Sequence, residues 1–233
     1  MKVREPAEDA PGVERLLALS DGVVAIALTL LVLSLHVPVS TALHPINPTS
    51  PSDLWHALQN LADPFISYII SFYVIAQFWL AHHRTFRLMV GHDEGLAWWN
   101  FLFLFAITLL PFSADLLGQY SENPVAVDLF AFNLLVGSLS TITVMTVAQR
   151  KGLLKPTANP QVLRAGRVRA LGIMLVVAAS MGVAWFPHRG PDVAKYMWFL
   201  IAVVPRVMNR WVDQHMPLDD GTAPATGTVA PAD

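Results

Sequence analysis

Long apolar runs alternate with short polar clusters along most of this chain, and the pattern predicts six helices: Leu16 to Val37, Pro64 to Leu80, Leu96 to Leu117, Val125 to Ala148, Val168 to Phe186 and Val193 to Trp211. At 1.5 Å per residue, about twenty apolar residues cross a hydrocarbon core of about 30 Å, so each run is of spanning length. The first connection, PVSTALHPINPTSPSDLWHALQN from Pro38 to Asn60, holds four prolines and reads as an exposed loop closing with a short helix from Ser52. The other connections are short. Residues 1–12 are polar with two prolines, and residues 217–233 form an Ala/Pro/Thr/Gly tail with too little apolar surface to fold. The expected organisation is therefore a mobile N-terminus at 1–12, one six-helix transmembrane domain at 13–216, and a disordered tail at 217–233.

Within the first run the helical period separates two faces. At 100° per residue, Leu30 and Leu33 fall within about 40° of Ile26, with Gly22 one turn below and Thr29 on the flank. Asp21 lies about 140° to one side of Ile26 and Ser20 about 120° to the other, so neither points along this ridge. Branched aliphatics at such spacing also serve ordinary packing or lipid contact. An acid at the membrane edge is costly and calls for a partner, for headgroup water, or for a role with Ser20 as a helix cap. The second helix ends in FWLAHHRTFR, Phe78 to Arg87, which offers partners at the same depth, and Arg15 precedes Asp21 by six residues. In the third helix Asn100 is able to hydrogen-bond across helices, Trp98 and Trp99 suit an interfacial belt, and Pro111 is positioned to kink the outer end.

Composition agrees with the pattern. Of 233 residues, 54% are hydrophobic and 14% charged, against about 25% charged in soluble domains. Acidic residues Glu5, Glu8, Asp9 and Glu14 precede the first run, which does not read as an obvious secretory leader and is expected to be a retained helix. With an N-terminus inside, one side receives Lys2, Arg4, Arg15, Arg84, Arg87, Arg150, Lys151, Lys155, Arg164, Arg167, Arg169, Arg206 and Arg210, leaving Arg189 and Lys195 outside. That asymmetry supports six spans with both termini cytoplasmic.

Several chemistries lack support. Zero cysteines exclude disulfides and thiolate sites, His82 and His83 are adjacent rather than at metal-ligand spacing, and no P-loop, G-x-S-x-G or G-x-G-x-x-G occurs. No cofactor, metal or enzymatic activity is expected. The imidazoles of His82, His83 and His92 leave pH sensing open. The basic segment Gln149 to Ala170 reads either as a topological determinant or as a binder of anionic headgroups.

Arg15, three residues, then Leu19-Ser20-Asp21 and GVVAIALTLLVLSL, together with WLAHHRTF at 79–86 and the Asn100 to Phe112 region, form a set. It resembles the prokaryotic six-helix relatives of the lysosomal potassium channel called transmembrane protein 175. Their first helix carries Arg, three residues, then Phe-Ser-Asp; here Leu19 stands in place of the usual Phe. The likeness covers roughly positions 15–115 by motif and the remainder by topology and length.

The resemblance implies a potassium-permeable channel of a prokaryotic plasma membrane whose first helices surround a pore without a carbonyl filter. It implies constriction residues Ile26, Leu30 and Leu33, and Thr29 as the hydroxyl favouring potassium. It further implies a structural network of Arg15, Ser20 and Asp21 with His82 or His83, to which Asn100 is added as a cross-helix group. One copy of the motif implies a homotetramer. Two other functions stay open: a proton- or ion-coupled secondary transporter using Asp21 and a histidine, disfavoured by the lack of inverted repeats, and a membrane protein without a transport role.

Overall fold

The computed structural model describes residues 11–36, 40, 47 and 49–201. Seven helices occur among them: α1 Pro11–Leu30, α2 Pro51–Gln59, α3 Ala62–Arg87, α4 Glu94–Gln119, α5 Pro124–Arg150, α6 Pro160–Ala184 and α7 Gly190–Met197. A 3-10 segment, Leu31–Ser34, continues α1. No strand occurs among the described residues, only an isolated bridge between Met89 and Leu154. Five helices there are long and apolar enough to cross a membrane: α1 with its 3-10 segment, α3, α4, α5 and α6.

The helices are longer than the apolar runs that announce them. α1 begins at Pro11, inside the expected 1–12 tail, α3 continues to Arg87 rather than stopping at Leu80, and α6 begins at Pro160 rather than Val168. Polar turns carry the backbone ladder past the hydrocarbon core because intrahelical hydrogen bonding does not depend on apolar side chains. Arg84, Arg87, Arg164 and Arg167 therefore project from helices, not loops.

The expected sixth span, Val193 to Trp211, differs over its described part. α7 ends at Met197, and the chain turns at Trp198 and Phe199 before helix resumes at Leu200. The turn sends Trp198 into the core, where its indole donates to Ser180 Oγ at 2.9 Å and its ring lies 4.8 Å from that of Phe130. Residues 202–211 of this run, residues 1–10 and the 217–233 tail lie outside the described residues.

Helix starts follow local capping chemistry. Ser50 Oγ accepts from Asp53 N at 3.4 Å ahead of Pro51 in α2, near the start expected at Ser52. Asp93 Oδ1 accepts from Leu96 N at 3.0 Å at α4, and Asn123 Oδ1 from Val125 N at 2.9 Å at α5. Each satisfies an amide that the first helical turn leaves without a backbone acceptor.

The core has two parts. The larger joins Val24, Ala27 and Leu31 of α1 and its extension to Ile75, Phe103, Ile107, Phe130 and Val177. A smaller cluster joins Val13 to Phe86, Met89, Leu96, Val144 and Ala148, and so places the start of α1 beside the α3–α4 and α5–α6 connections. Those two connections are tied together: Val90 N donates to Leu153 O at 2.9 Å, Lys155 N to Leu88 O at 2.8 Å, and Lys151 pairs with Asp93. The Lys151 ammonium and the Leu96 amide hold the Asp93 carboxyl below its ordinary pKa. At the opposite end Gly118 admits the close approach of α3, since a Cβ there would stand 2.9 Å from Pro64 Cα. Arg15, Arg84, Arg87, Arg150, Lys151 and Lys155 all belong to the clamped end.

Candidate functional site

α1 is divided lengthwise. Ser20, Val24, Ala27 and Leu31 are buried against α3 and α4, whereas the opposite stripe is bare: Ile26 is 60% exposed, Leu30 44% and Leu33 67%. Ala18, Gly22, Ala25 and Thr29 are exposed on the same side, and a Cβ added at Gly22 would meet nothing within 4 Å. Small residues below and branched ones above give a surface that leaves room at the clamped end and narrows toward Leu33. The 3-10 winding eclipses residues three apart, so Leu33 stands over Leu30.

Thr29 Oγ1 donates to Ile26 O at 2.8 Å. With its proton engaged on its own helix, the hydroxyl presents oxygen lone pairs to whatever lies beyond the stripe. Such an oxygen suits a cation, and the aliphatic neighbours suit a constriction that closes by dewetting.

Behind the stripe runs a chain of hydrogen bonds, in which the longer 3.4 Å contact from Ser20 Oγ to Asn100 Oδ1 competes with the shorter donation of Ser20 Oγ to Leu16 O. His82 Nε2–H donates to Asn100 Oδ1 at 2.7 Å, Asn100 Nδ2 donates to Ser20 Oγ at 3.1 Å, and Ser20 Oγ donates to Leu16 O at 2.8 Å. This satisfies both ends of the Asn100 amide and fixes the His82 tautomer through the network. His82 is sandwiched between Phe86 and Phe103, with ring centroids at 4.2 and 4.6 Å. Three helices, α1, α3 and α4, thus meet on the Asn100 side chain.

Asp21 is held separately. Trp79 Nε1 donates to Asp21 Oδ1 at 2.7 Å, and the His83 ring lies tilted against that of Trp79 at 5.2 Å. Arg15 is exposed and makes no hydrogen bond or ion pair among the described residues; it lines a shallow cavity with Leu16, Leu19 and His92. The structure therefore brings Ser20, His82 and Asn100 together, places Asp21 beside them on Trp79, and does not join Arg15 to Asp21. Six residues of helix rise put about 9 Å between those two positions along the axis.

Trp79 is the partner that sequence reasoning passed over. Its signal was available: an indole N–H inside an apolar helix can only donate, and Asp21 is the acid at matching depth. Pro111 lies inside α4, which continues to Gln119. Among the described residues no cluster of three or more His, Cys, Asp or Glu side chains could hold a metal ion.

Residues 15–111 match the family described as endosomal/lysosomal potassium channel TMEM175. A potassium channel of Streptomyces collinus is 32% identical over 164 residues, covering 68% of this chain and 76% of that one. A potassium channel of Chamaesiphon minutus is 36% identical over 124 residues, covering 53% and 57%. The crystal structure of a lysosomal potassium-selective channel TMEM175 homolog from Chamaesiphon minutus aligns with a TM-score of 0.62 at 25% identity, over 84% of this chain and 99% of that one. The family is one of ion channels, not enzymes. With its all-helical multi-pass fold and a relative matched over three quarters of its length, this chain belongs to the TMEM175 family.

Proposed function

We propose that the chain is a potassium-permeable channel in which α1 helices of four identical subunits surround one pore. Ile26, Leu30 and Leu33 form its hydrophobic constriction, and Thr29 supplies the hydroxyl that favours potassium. Ser20, Asp21, His82, His83 and Asn100 brace α1 from behind, with Trp79 added to that set. Arg15 acts at the pore's cytoplasmic mouth rather than as a partner of Asp21.

One observation carries this reading: the span of highest mean hydropathy leaves Gly22, Ala25, Ile26, Thr29, Leu30 and Leu33 exposed along one side while Ser20, Val24, Ala27 and Leu31 are buried on the other. A single α1 cannot enclose a pore, and the small residues Ala18, Gly22 and Ala25 permit close approach of copies. The names of the bacterial relatives supply the ion. Clustering of bases at one end supports six spans with cytoplasmic termini, and the bacterial relatives favour a bacterial or archaeal plasma membrane, with residues 13–216 as the channel domain.

The test is ion flux in liposomes containing only this protein, with bi-ionic potassium/sodium recording. Passive, potential-driven flux favouring potassium is the expected result, from particles with the mass of four chains. Flux that requires a counter-ion gradient, or none from folded oligomers, refutes the channel.

A further inference from the structure

The basic end carries a second unassigned feature. A cavity of about 170 Å³ between α3, α5 and α6 is lined at its mouth by Arg84 and Arg169. It shares Gln77, Ala81, Thr141, Ala170 and Ile173 with a deeper, almost wholly apolar cavity of about 70 Å³. Together they form one track leading from two guanidiniums into the apolar depth of the bundle. Both volumes fall below the roughly 300–1,000 Å³ of enclosed small-molecule sites, so the track suits a long thin ligand that remains partly outside.

The arginines lack partners among the described residues. Neither makes a hydrogen bond or ion pair there, unlike Lys151, which pairs with Asp93, and Lys195, which pairs with Asp192. Both side chains line the same cavity. Arg169 is partly buried and sits on the seventh residue of the Leu163–Ala184 span, whereas Arg167 on the same helix donates to Gln149 Oε1 at 2.8 Å. An unpaired guanidinium within a span is costly, and two together call for an anion. Gly166 keeps the track open, since a Cβ there would approach Met145 Cε to 3.2 Å.

We propose that this groove binds an anionic phospholipid of the cytoplasmic leaflet, its phosphate between Arg84 and Arg169 and one acyl chain along the track toward Phe78 and Ile173. The charge selects the headgroup and the apolar walls select a lipid over a free anion. Nothing in this site touches the α1 stripe, so it stands apart from the permeation reading.

Native mass spectrometry of the full chain in detergent, with phosphatidylglycerol and phosphatidylcholine of equal acyl composition, tests it. The wild type retains phosphatidylglycerol about thirtyfold over phosphatidylcholine, the preference two basic side chains near a membrane surface supply. Arg84→Gln with Arg169→Gln abolishes that preference, while Arg164→Gln, an exposed base on the same helix, keeps it. Arg84→Gln alone, on an exposed side chain, lowers it about fivefold and serves if the double variant does not fold. Gly166→Leu reduces retention of both lipids by filling the track. Equal retention of both lipids by the wild type, or an unchanged preference in the arginine variants, overturns the proposal. So does displacement of the lipid by millimolar inorganic phosphate, or an unaffected Gly166→Leu protein.

Discussion

Replacing Asn100 by leucine removes the one side chain on which α1, α3 and α4 converge. Ser20 loses an incoming bond but keeps its own donation to Leu16 O. His82 fares worse: its Nε2–H is stranded in a buried site where Nδ1 already has no partner. Cross-helix hydrogen bonds in membranes average about 0.6 kcal/mol, and a buried donor left unsatisfied costs about 1–3 kcal/mol. Two lost bonds and one stranded donor therefore cost about 2–4 kcal/mol. For a chain of this length that lowers the melting temperature by about 4–16 °C. Adding His82→Phe changes the sign of the argument, because phenylalanine retains the stacking on Phe86 and Phe103 and leaves no polar atom behind. The double variant melts above Asn100→Leu alone, by about 1–2 kcal/mol of coupling. Thermal unfolding of the purified protein in one detergent measures both. An Asn100→Leu protein within 1 °C of wild type, or no recovery in the double variant, refutes the network.

Leu30→Ser wets the proposed constriction and raises single-channel conductance severalfold in bilayer recordings, while unchanged currents in Ile26, Leu30 and Leu33 variants move the pore off α1. Thr29→Val, which keeps shape but removes the outward oxygen, lowers the potassium-to-sodium permeability ratio and Thr29→Ser restores it; equal reversal potentials in all three proteins count against the hydroxyl. Trp79→Phe leaves Asp21 without its donor and destabilises by about 1.5–3 kcal/mol, the range for hydrogen bonds to charged groups, which thermal unfolding shows as a lowered midpoint. Asp93 has a folded-state pKa below its unfolded value, so its contribution is complete above the ordinary carboxylate range and is lost as pH falls through the folded value. Asp93→Asn flattens that acid limb of a pH–stability profile; an identical profile would exclude the Lys151 pairing as its source.

Helical spacing made the two faces of α1 legible because which residues share a face is a local property of the chain. Ser20 and Asp21 turned away from Ile26 on the wheel and are turned away in the fold. Which helix meets each face is tertiary information, and there the reading was partial. His82 and Asn100 were identified as polar groups needing partners, yet their convergence on Ser20 depends on the register of α3 against α4. Trp79 was read as part of a motif rather than as the donor for Asp21. Arg15 looked like the natural partner of Asp21 by charge alone, but helix rise separates them. The boundaries of α3 and α6 were misplaced because hydropathy marks the apolar slab and hydrogen bonding marks the helix. Arg84 lies beyond the expected end of its helix, and its meeting with Arg169 at one cavity depends on the register of α3 against α6.

The 3-10 winding of Leu31–Ser34 has a mechanical meaning. A 3-10 turn advances about 120° and 2.0 Å per residue, an α turn about 100° and 1.5 Å. Over the three steps from Leu30 to Leu33, rewinding as α would swing Leu33 by about 60° and draw it in by about 1.5 Å. The side chain would leave the line of Leu30 without a rotamer change or a bend in the helix. The uppermost side chain of the stripe is therefore positioned by the pitch of four residues, and a change in that winding alone would displace a bulky aliphatic group sideways.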